Sequence, residues 1–284
     1  MKFRIISDLH VDINKKYYSK FKFDPNSYYL IAGDIAGGRH KAEEFLHYHM
    51  SLGKLTNGIF IEGNHMGYDL DWNEHDNTKE ACYAYLAEQF PLTSNVSFME
   101  NNFKEIPDEN IIIVGCTLYT DYKAFGNREL GMKIGETYLN DFRYVHTYSN
   151  LGGDRLVTPV DYLDRHEKSL QFIDEMCKSN QYNLSNILVE KIENGKVINR
   201  GLFRKENGEY VPTEYATDLL SSSYVSNLED FIIDHSNIKV WCHGHCHRKF
   251  DYYIGQCRVL CNPFGYFNEN GMKLTQPIGL SFTL

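Results

Sequence analysis

Phe3-Arg4-Ile5-Ile6-Ser7-Asp8-Leu9-His10 opens the chain with an apolar run and sets an Asp-x-His pair just after it. The run has strand composition, and alternation along an extended backbone directs Asp8 and His10 to the same side. The construction recurs. Tyr28-Tyr29-Leu30-Ile31-Ala32 is followed by Gly33-Asp34, and Ile59-Phe60-Ile61-Glu62 by Gly63-Asn64-His65. Ile238-Lys239-Val240-Trp241 leads into Gly244-His245-Cys246-His247. Each glycine permits a tight turn and a close backbone approach beyond a strand. Asp8, His10, Asp34, Asn64, His245 and His247 thus form a dispersed set of oxygen and nitrogen donors. That mixture suits Mn²⁺, Fe²⁺/Fe³⁺, Zn²⁺ or Ni²⁺ better than the all-oxygen shell of Ca²⁺.

Taken in order, D-x-H, G-D, G-N-H and G-H-x-H resemble the calcineurin-like metallophosphoesterase superfamily, from Met1 to about Tyr266. Thr117-Leu118-Tyr119-Thr120-Asp121, Leu139-Asn140-Asp141-Phe142-Arg143 and Asn262-Pro263-Phe264-Gly265-Tyr266 are similar to its bacterial and phage branch of small soluble phosphoesterases. The resemblance implies a four-layer αββα sandwich, two mixed sheets flanked by helices, with the site at the carboxyl ends of the strands. It also implies a dinuclear metal centre. Asp8, His10 and His247 would hold the first divalent cation, Asp34 would bridge, and Asn64 and His245 would hold the second, with Mn²⁺ the leading metal. Two cations about 3.5–4 Å apart clamp a phosphoryl group and activate a bridging hydroxide. His65 then lies outside the ligand shell and protonates the leaving group, a task suited to its unperturbed pKa of about 6.5.

The chain departs from this pattern twice. Met66 follows His65 where the family carries an acidic residue, and Asp69 or Asp71 is the nearest substitute. After the strand-like Asn186-Ile187-Leu188-Val189 the family places a metal-ligating histidine. Here Glu190-Lys191 stands there, and no histidine occurs from 167 to 234. Either Glu190 gives a carboxylate to the second cation or it is an ordinary strand-end residue paired with Lys191. Both alternatives make the second metal site the weaker one.

Strand-like runs alternating with helix-like stretches argue independently for an α/β protein, with largely parallel pairing in its first half. Helices are expected over Lys41 to Ser51, Thr78 to Phe90 and Pro159 to about Lys178. Thr158 caps the last, Pro159 suits its first turn, and Asp161 completes a capping box. Lys191 to Pro212 breaks the rhythm with Asn194-Gly195 and Asn207-Gly208, each flanked by strand-compatible residues. Asn-Gly is a strong hairpin signal, so one or two β-hairpins are expected in this insertion, which offers a surface for a protein partner. With no linker or repeat, residues 1–284 read as a single domain.

Composition narrows the function. Hydrophobic residues make up 42% and aromatics 14%, enough for a substantial core, and the 21 tyrosines read mainly as half-buried surface residues. Net charge is −9, which argues against duplex nucleic acid as a partner. The chain shows no apolar run of about 18 residues and no signal-peptide pattern at its start. Its odd count of 7 cysteines fits a reducing cytoplasm. Cys242, Cys246, Cys257 and Cys261 lack the C-x-x-C spacing of a structural zinc site. His40, His47, His49, His75, His146, His166 and His235 match no ligand position, and His243 either lines the cleft or packs. The leading expectation is a metal-dependent phosphohydrolase, a phosphodiesterase or phosphomonoesterase acting on small-molecule or nucleotide phosphoesters. A nuclease of the same superfamily is one rival. A degenerate phosphoesterase scaffold that binds without turnover is the other.

Overall fold

The computed structural model describes residues 1–68, 77–124, 126–179, 186–191, 194–195, 203–206, 209–212 and 219–284. Two mixed sheets carry the architecture. The first runs in the order Leu280–Phe282, Phe3–Ile6, Tyr28–Ile31, Asn57–Phe60, Val96–Phe98. Its pairings are parallel except at the Leu280–Phe282 edge. The second runs Phe250–Ile254, Cys257–Cys261, Ile238–His243, Asn186–Lys191, Ile111–Gly115, Asn102–Ile106. It is parallel in its centre and closed by an antiparallel strand on each edge.

Side-chain alternation stacks the layers. Phe3, Ile5, Leu30 and Ile59 of the first sheet share a core with Ile111, Ile113, Val240 and Leu260 of the second. The opposite face of the first sheet, with Ile6, Tyr29, Ile31 and Phe60, packs on Ala42, Phe45, Leu46, Cys82 and Leu86 from the helices Arg39–Ser51 and Lys79–Gln89. The outer face of the second sheet, with Ile112, Val114, Trp241 and Val259, packs on Leu170 and Ile173 of helix Pro159–Lys178 and Ile232 of Glu229–Asp234. Strands apolar on both faces are what this doubly covered arrangement requires. The fold is therefore the αββα sandwich that the sequence leads one to expect. Among the described residues no helix is long and apolar enough to cross a membrane.

Local signals explain the helix ends. Thr158 accepts from the Asp161 backbone N–H, and the Asp161 side chain accepts from that of Thr158, completing the expected capping box. Thr78 accepts from Ala81 and so caps the second helix rather than lying inside it. The helix Arg128–Tyr138 gave no clear signal, because Gly131 and Gly135 depress helix propensity. Their reason is spatial: a Cβ at either would press on Ser222 or Ser223.

Some sequence readings need correction. Asp8 and His10 do not share a side through strand alternation, because the strand ends at Ile6 and both residues have left-handed backbone. Asn194-Gly195 forms no hairpin turn but pairs in parallel with Val225-Ser226. The second Asn-Gly pair fits better. Phe203–Glu206 and Glu209–Pro212 pair antiparallel, with Glu206 opposite Glu209, although Asn207-Gly208 themselves lie outside the described residues. Asp69 and Asp71 also lie outside them, as does the side chain of Glu190.

Candidate metal centre

Asp8, His10, Asp34 and Asn64 leave the first sheet in successive loops that are stitched together by backbone hydrogen bonds, and His245 and His247 follow a strand of the second. Asp8 N–H donates to Gly33 O at 3.1 Å, His10 N–H to Asp34 O at 3.1 Å, and Asp34 N–H to Glu62 O at 3.2 Å. The ladder of the parallel strands thus continues past their ends and sets the loops side by side. Gly63 lies so close to Asp34 that a Cβ there would overlap its carboxylate and its backbone nitrogen. A Cβ at Gly244 would collide with Ala32 O and lie 3.0 Å from Asp8 Oδ2. The motif glycines are where loops from different strands touch.

Asp8 (φ 53°), His10 (φ 42°), Asp34 (φ 53°), His245 (φ 70°) and His247 (φ 47°) all adopt left-handed backbone. Each such non-glycine residue costs about 1–3 kcal/mol and persists only where its surroundings over-determine it. The tight turns fold the donor side chains back toward a common point.

The side chains form two adjoining corners. In the first, His10 Nε2 and His247 Nε2 lie 3.1 Å apart, and His247 Nε2 lies 3.6 Å from Asp8 Oδ1. Two nitrogens about 2.1 Å from one ion at a right angle would be about 3.0 Å apart, so this spacing fits a shared cation. In the second, His245 Nδ1 lies 3.1 Å from Asn64 Oδ1 and 4.0 Å from Asp34 Oδ2. His65 stands between the corners. One donor atom each from His10, Asp34 and His65 falls within 4.8 Å of the others, and His65 Nε2 is 3.2 Å from the Tyr266 hydroxyl.

Outer partners aim these donors. Asp8 accepts from the Ser7 hydroxyl and, at 2.8 Å, from the His245 backbone N–H. His247 Nδ1 pairs with Glu269 at 2.9 Å, which leaves Nε2 facing the site. The Asn64 amide donates to Asp141 Oδ1 at 3.2 Å, which turns the Asn64 oxygen toward His245. Asp141 also accepts from the Tyr68 and Tyr162 hydroxyls, the latter at 3.0 Å. His65 N–H donates to Asp34 Oδ1 at 2.9 Å, and the buried ion pair Glu62–Lys79, at 2.8 Å, underpins the loop that carries Asn64 and His65. Such outer contacts orient ligands and raise their basicity.

Electrostatics favour a cation. Burial, and then the charge of Asp34, pushes the Asp8 carboxyl well above the usual carboxylate range. Burial and the neighbouring imidazoles His65, His247 and His245 push His10 well below its usual value. Burial likewise lowers His245. His10 Nδ1 is buried without a hydrogen-bond partner. Neutral imidazoles offer lone pairs, and a buried carboxylate without a counter-charge is costly. The residues fit one or two divalent cations.

Asp8, His10, Asp34, Asn64, His65, His245 and His247 are thus brought together. For Glu190 the register alone is known: its backbone lies beside Gly115 and Cys242 near the carboxyl end of a central strand. Sequence reasoning gave no role to Glu269, Tyr68, Asp141 or Tyr266. Asp141 and Tyr266 do lie in the segments that carry the family resemblance. Glu269, the residue immediately after the helical turn Tyr266–Asn268, carries no motif of its own.

No protein-family model and no curated sequence matches the chain. Solved structures do. A phosphopantetheinyl hydrolase (PptH) from Mycobacterium tuberculosis superposes with a TM-score of 0.66 at 16% identity, over 93% of this chain and 89% of that one. A protein assigned as a 5′-nucleotidase from Staphylococcus aureus, in complex with α-ketoglutarate, gives 0.46 at 13% identity, over 92% and 48%. GAP50 of Plasmodium, an anchor in the inner membrane complex, gives 0.42 at 8% identity, over 92% and 70%. At these identities the shared property is the fold, and the first of them carries that conclusion.

Proposed function

We propose that the chain is a metal-dependent phosphoester hydrolase of the calcineurin-like type, akin to its small bacterial and phage members. The observation that supports this most is the convergence of Asp8, His10, Asp34, Asn64, His245 and His247, delivered by loops from both sheets, on two adjoining corners. Asp8, His10 and His247 would hold one cation, Asn64 and His245 a second, and Asp34 both. Bound there, two divalent ions such as Mn²⁺ would neutralise phosphoryl charge and lower the pKa of water.

The chain's own residues would do the rest. His65 holds a proton at Nε2 for the leaving oxygen, and Tyr266, 3.2 Å away, orients that nitrogen. Burial, then the charge of Asp34, keeps the Tyr266 hydroxyl protonated well beyond neutral pH, so its oxygen accepts from Nε2–H as a neutral group and does not take the proton away. This hydroxyl takes over the orienting task that the family gives to the acidic residue replaced here by Met66. Glu190 is the proposed carboxylate substitute for the absent histidine of the second corner. The substrates would be small-molecule or nucleotide phosphodiesters or monoesters, and a phosphopantetheinyl phosphoester is one to try.

The test is turnover of aryl phosphodiesters and monoesters by metal-stripped protein titrated with Mn²⁺. Hydrolysis that rises with Mn²⁺ and vanishes in Asp34→Asn supports the enzyme. Metal binding without turnover would favour a scaffold that recruits partners, a reading motivated by the missing histidine. Cleavage confined to nucleic acid would favour a nuclease.

A further inference from the structure

We propose that His243, Cys246 and Cys261 form a separate soft-metal site that binds a zinc-class ion and braces the loop bearing His245 and His247. One donor atom from each of the three lies within 4.8 Å of the others, and the set shares no residue with the oxygen-and-nitrogen corners. It stands whether or not those corners hydrolyse anything.

The sheet builds this cluster. His243 and Cys261 end adjacent parallel strands and are register partners, so their side chains share a face. Trp241 and Val259, two residues earlier, belong to the outer core, whereas Cys242 and Leu260 belong to the core between the sheets. By alternation His243 and Cys261 continue the outer face. Cys246 is brought back onto them by the left-handed turn at His245 and His247.

The distances suit a metal better than a disulfide. Cys246 Sγ and Cys261 Sγ are 3.7 Å apart. Two thiolates on one tetrahedral zinc, with bonds of about 2.3 Å, stand about 3.8 Å apart, whereas a disulfide needs about 2.05 Å. The histidine points the same way. His243 is 1% exposed, and its Nδ1 lies 3.4 Å from the Gly244 carbonyl, which can only accept. Nδ1 therefore carries the proton and Nε2 the lone pair. That Nε2 is buried without a hydrogen-bond partner. A disulfide would leave it orphaned, and a metal bond would satisfy it. Two thiolates and an imidazole form a soft set that selects zinc or Cu(I) over manganese or magnesium. Cys246 is half-buried, so water can complete a fourth position.

The test uses the full chain, purified in reductant, stripped of metal and titrated with Co²⁺ as a probe for zinc. The expected result is thiolate-to-cobalt charge-transfer absorption that one equivalent of Zn²⁺ displaces. The band should persist in Asp34→Asn and disappear in Cys261→Ser. Zinc affinity in His243→Ala should fall by more than about 100-fold, beyond the 10–100-fold typical of an outer partner. X-ray absorption on the zinc-loaded wild type gives a readout free of mutation, and two sulfurs at about 2.3 Å are expected. Absence of the band in reduced wild type would overturn the site. So would zinc surrounded only by nitrogen and oxygen, or a Cys246–Cys261 disulfide that persists in reductant.

Discussion

The two corners of the candidate centre share a carboxylate neighbourhood but are built to different strengths. The Asp8/His10/His247 corner combines a fully buried carboxylate with two imidazoles, and hydrogen bonds to Ser7, His245 and Glu269 brace it. The Asp34/Asn64/His245 corner relies on a neutral amide that Asp141 steers. The central strand Asn186–Lys191 ends in Glu190-Lys191, and the sequence holds no histidine from 167 to 234 that could add an imidazole there. Anionic and imidazole donors bind divalent cations more firmly than an amide oxygen does. The comparison teaches that two adjoining donor sets on one fold can differ in ligand strength, one built on a buried carboxylate with two imidazoles and the other leaning on an amide oxygen.

The largest expected effect comes from the residue common to both corners. Asp34→Asn should lower turnover by more than about 10⁴-fold, above the ceiling for losing a general acid, and weaken both cations in a Mn²⁺ titration. If only one affinity changes, the corners do not share Asp34. Next, His65→Ala should slow turnover by about 10²–10⁴-fold with metal content intact, and less so for substrates with good leaving groups. Loss of metal instead would make His65 a ligand with His10 and Asp34, a role its position allows.

Asp141→Asn and Glu269→Gln probe one corner each. Asp141→Asn should weaken the low-affinity Mn²⁺ step by about 10–100-fold and leave the tight step unchanged. Glu269→Gln should weaken the tight step by about 10-fold, the lower end, since Glu269 is half exposed. Calorimetric titration that shows the reverse assignment would exchange the corners.

The smallest effect on the site is expected from His49, which is buried against Phe23 and Phe45. Burial lowers it from its usual 6.5 to about 4. Below pH 6.5 the unfolded chain therefore binds a proton that the folded chain refuses. Stability is lost as pH falls from 6.5 toward 4, by at most about 3 kcal/mol. Denaturant melts of His49→Leu should lose this part of the acid slope while Mn²⁺ binding stays the same. An unchanged slope would mean that His49 protonates freely in the fold.

Much of the fold was legible because strands covered on both faces read as apolar runs, and because Thr158-Pro159 and Asp161 mark a helix start through local hydrogen bonds. The helix Arg128–Tyr138 was not legible, since its glycines answer to Ser222 and Ser223 across the fold. The donors Asp8, His10, Asp34, Asn64, His245 and His247 were legible as motifs after strands. The reason for their alignment was not: left-handed backbone turns Asp8, His10, Asp34, His245 and His247, and strand alternation does not bring Asp8 and His10 to one side.

The sequence by itself determined residue chemistry and local order: which donors follow which strand, where glycines permit turns, and that Glu190-Lys191 rather than a histidine directly follows Val189. Only the tertiary structure decided the partners. Asp141 reaches Asn64 across 77 positions, Glu269 reaches His247 across 22, and Tyr266 reaches His65 across 201. It also decided which cysteines meet, bringing Cys246 to Cys261 rather than grouping Cys242 with Cys257. The physical reason is that propensity, capping and turn chemistry act over a few neighbouring residues. Orientation of a buried polar side chain depends instead on whatever donor or acceptor the packing of distant strands leaves within about 3 Å.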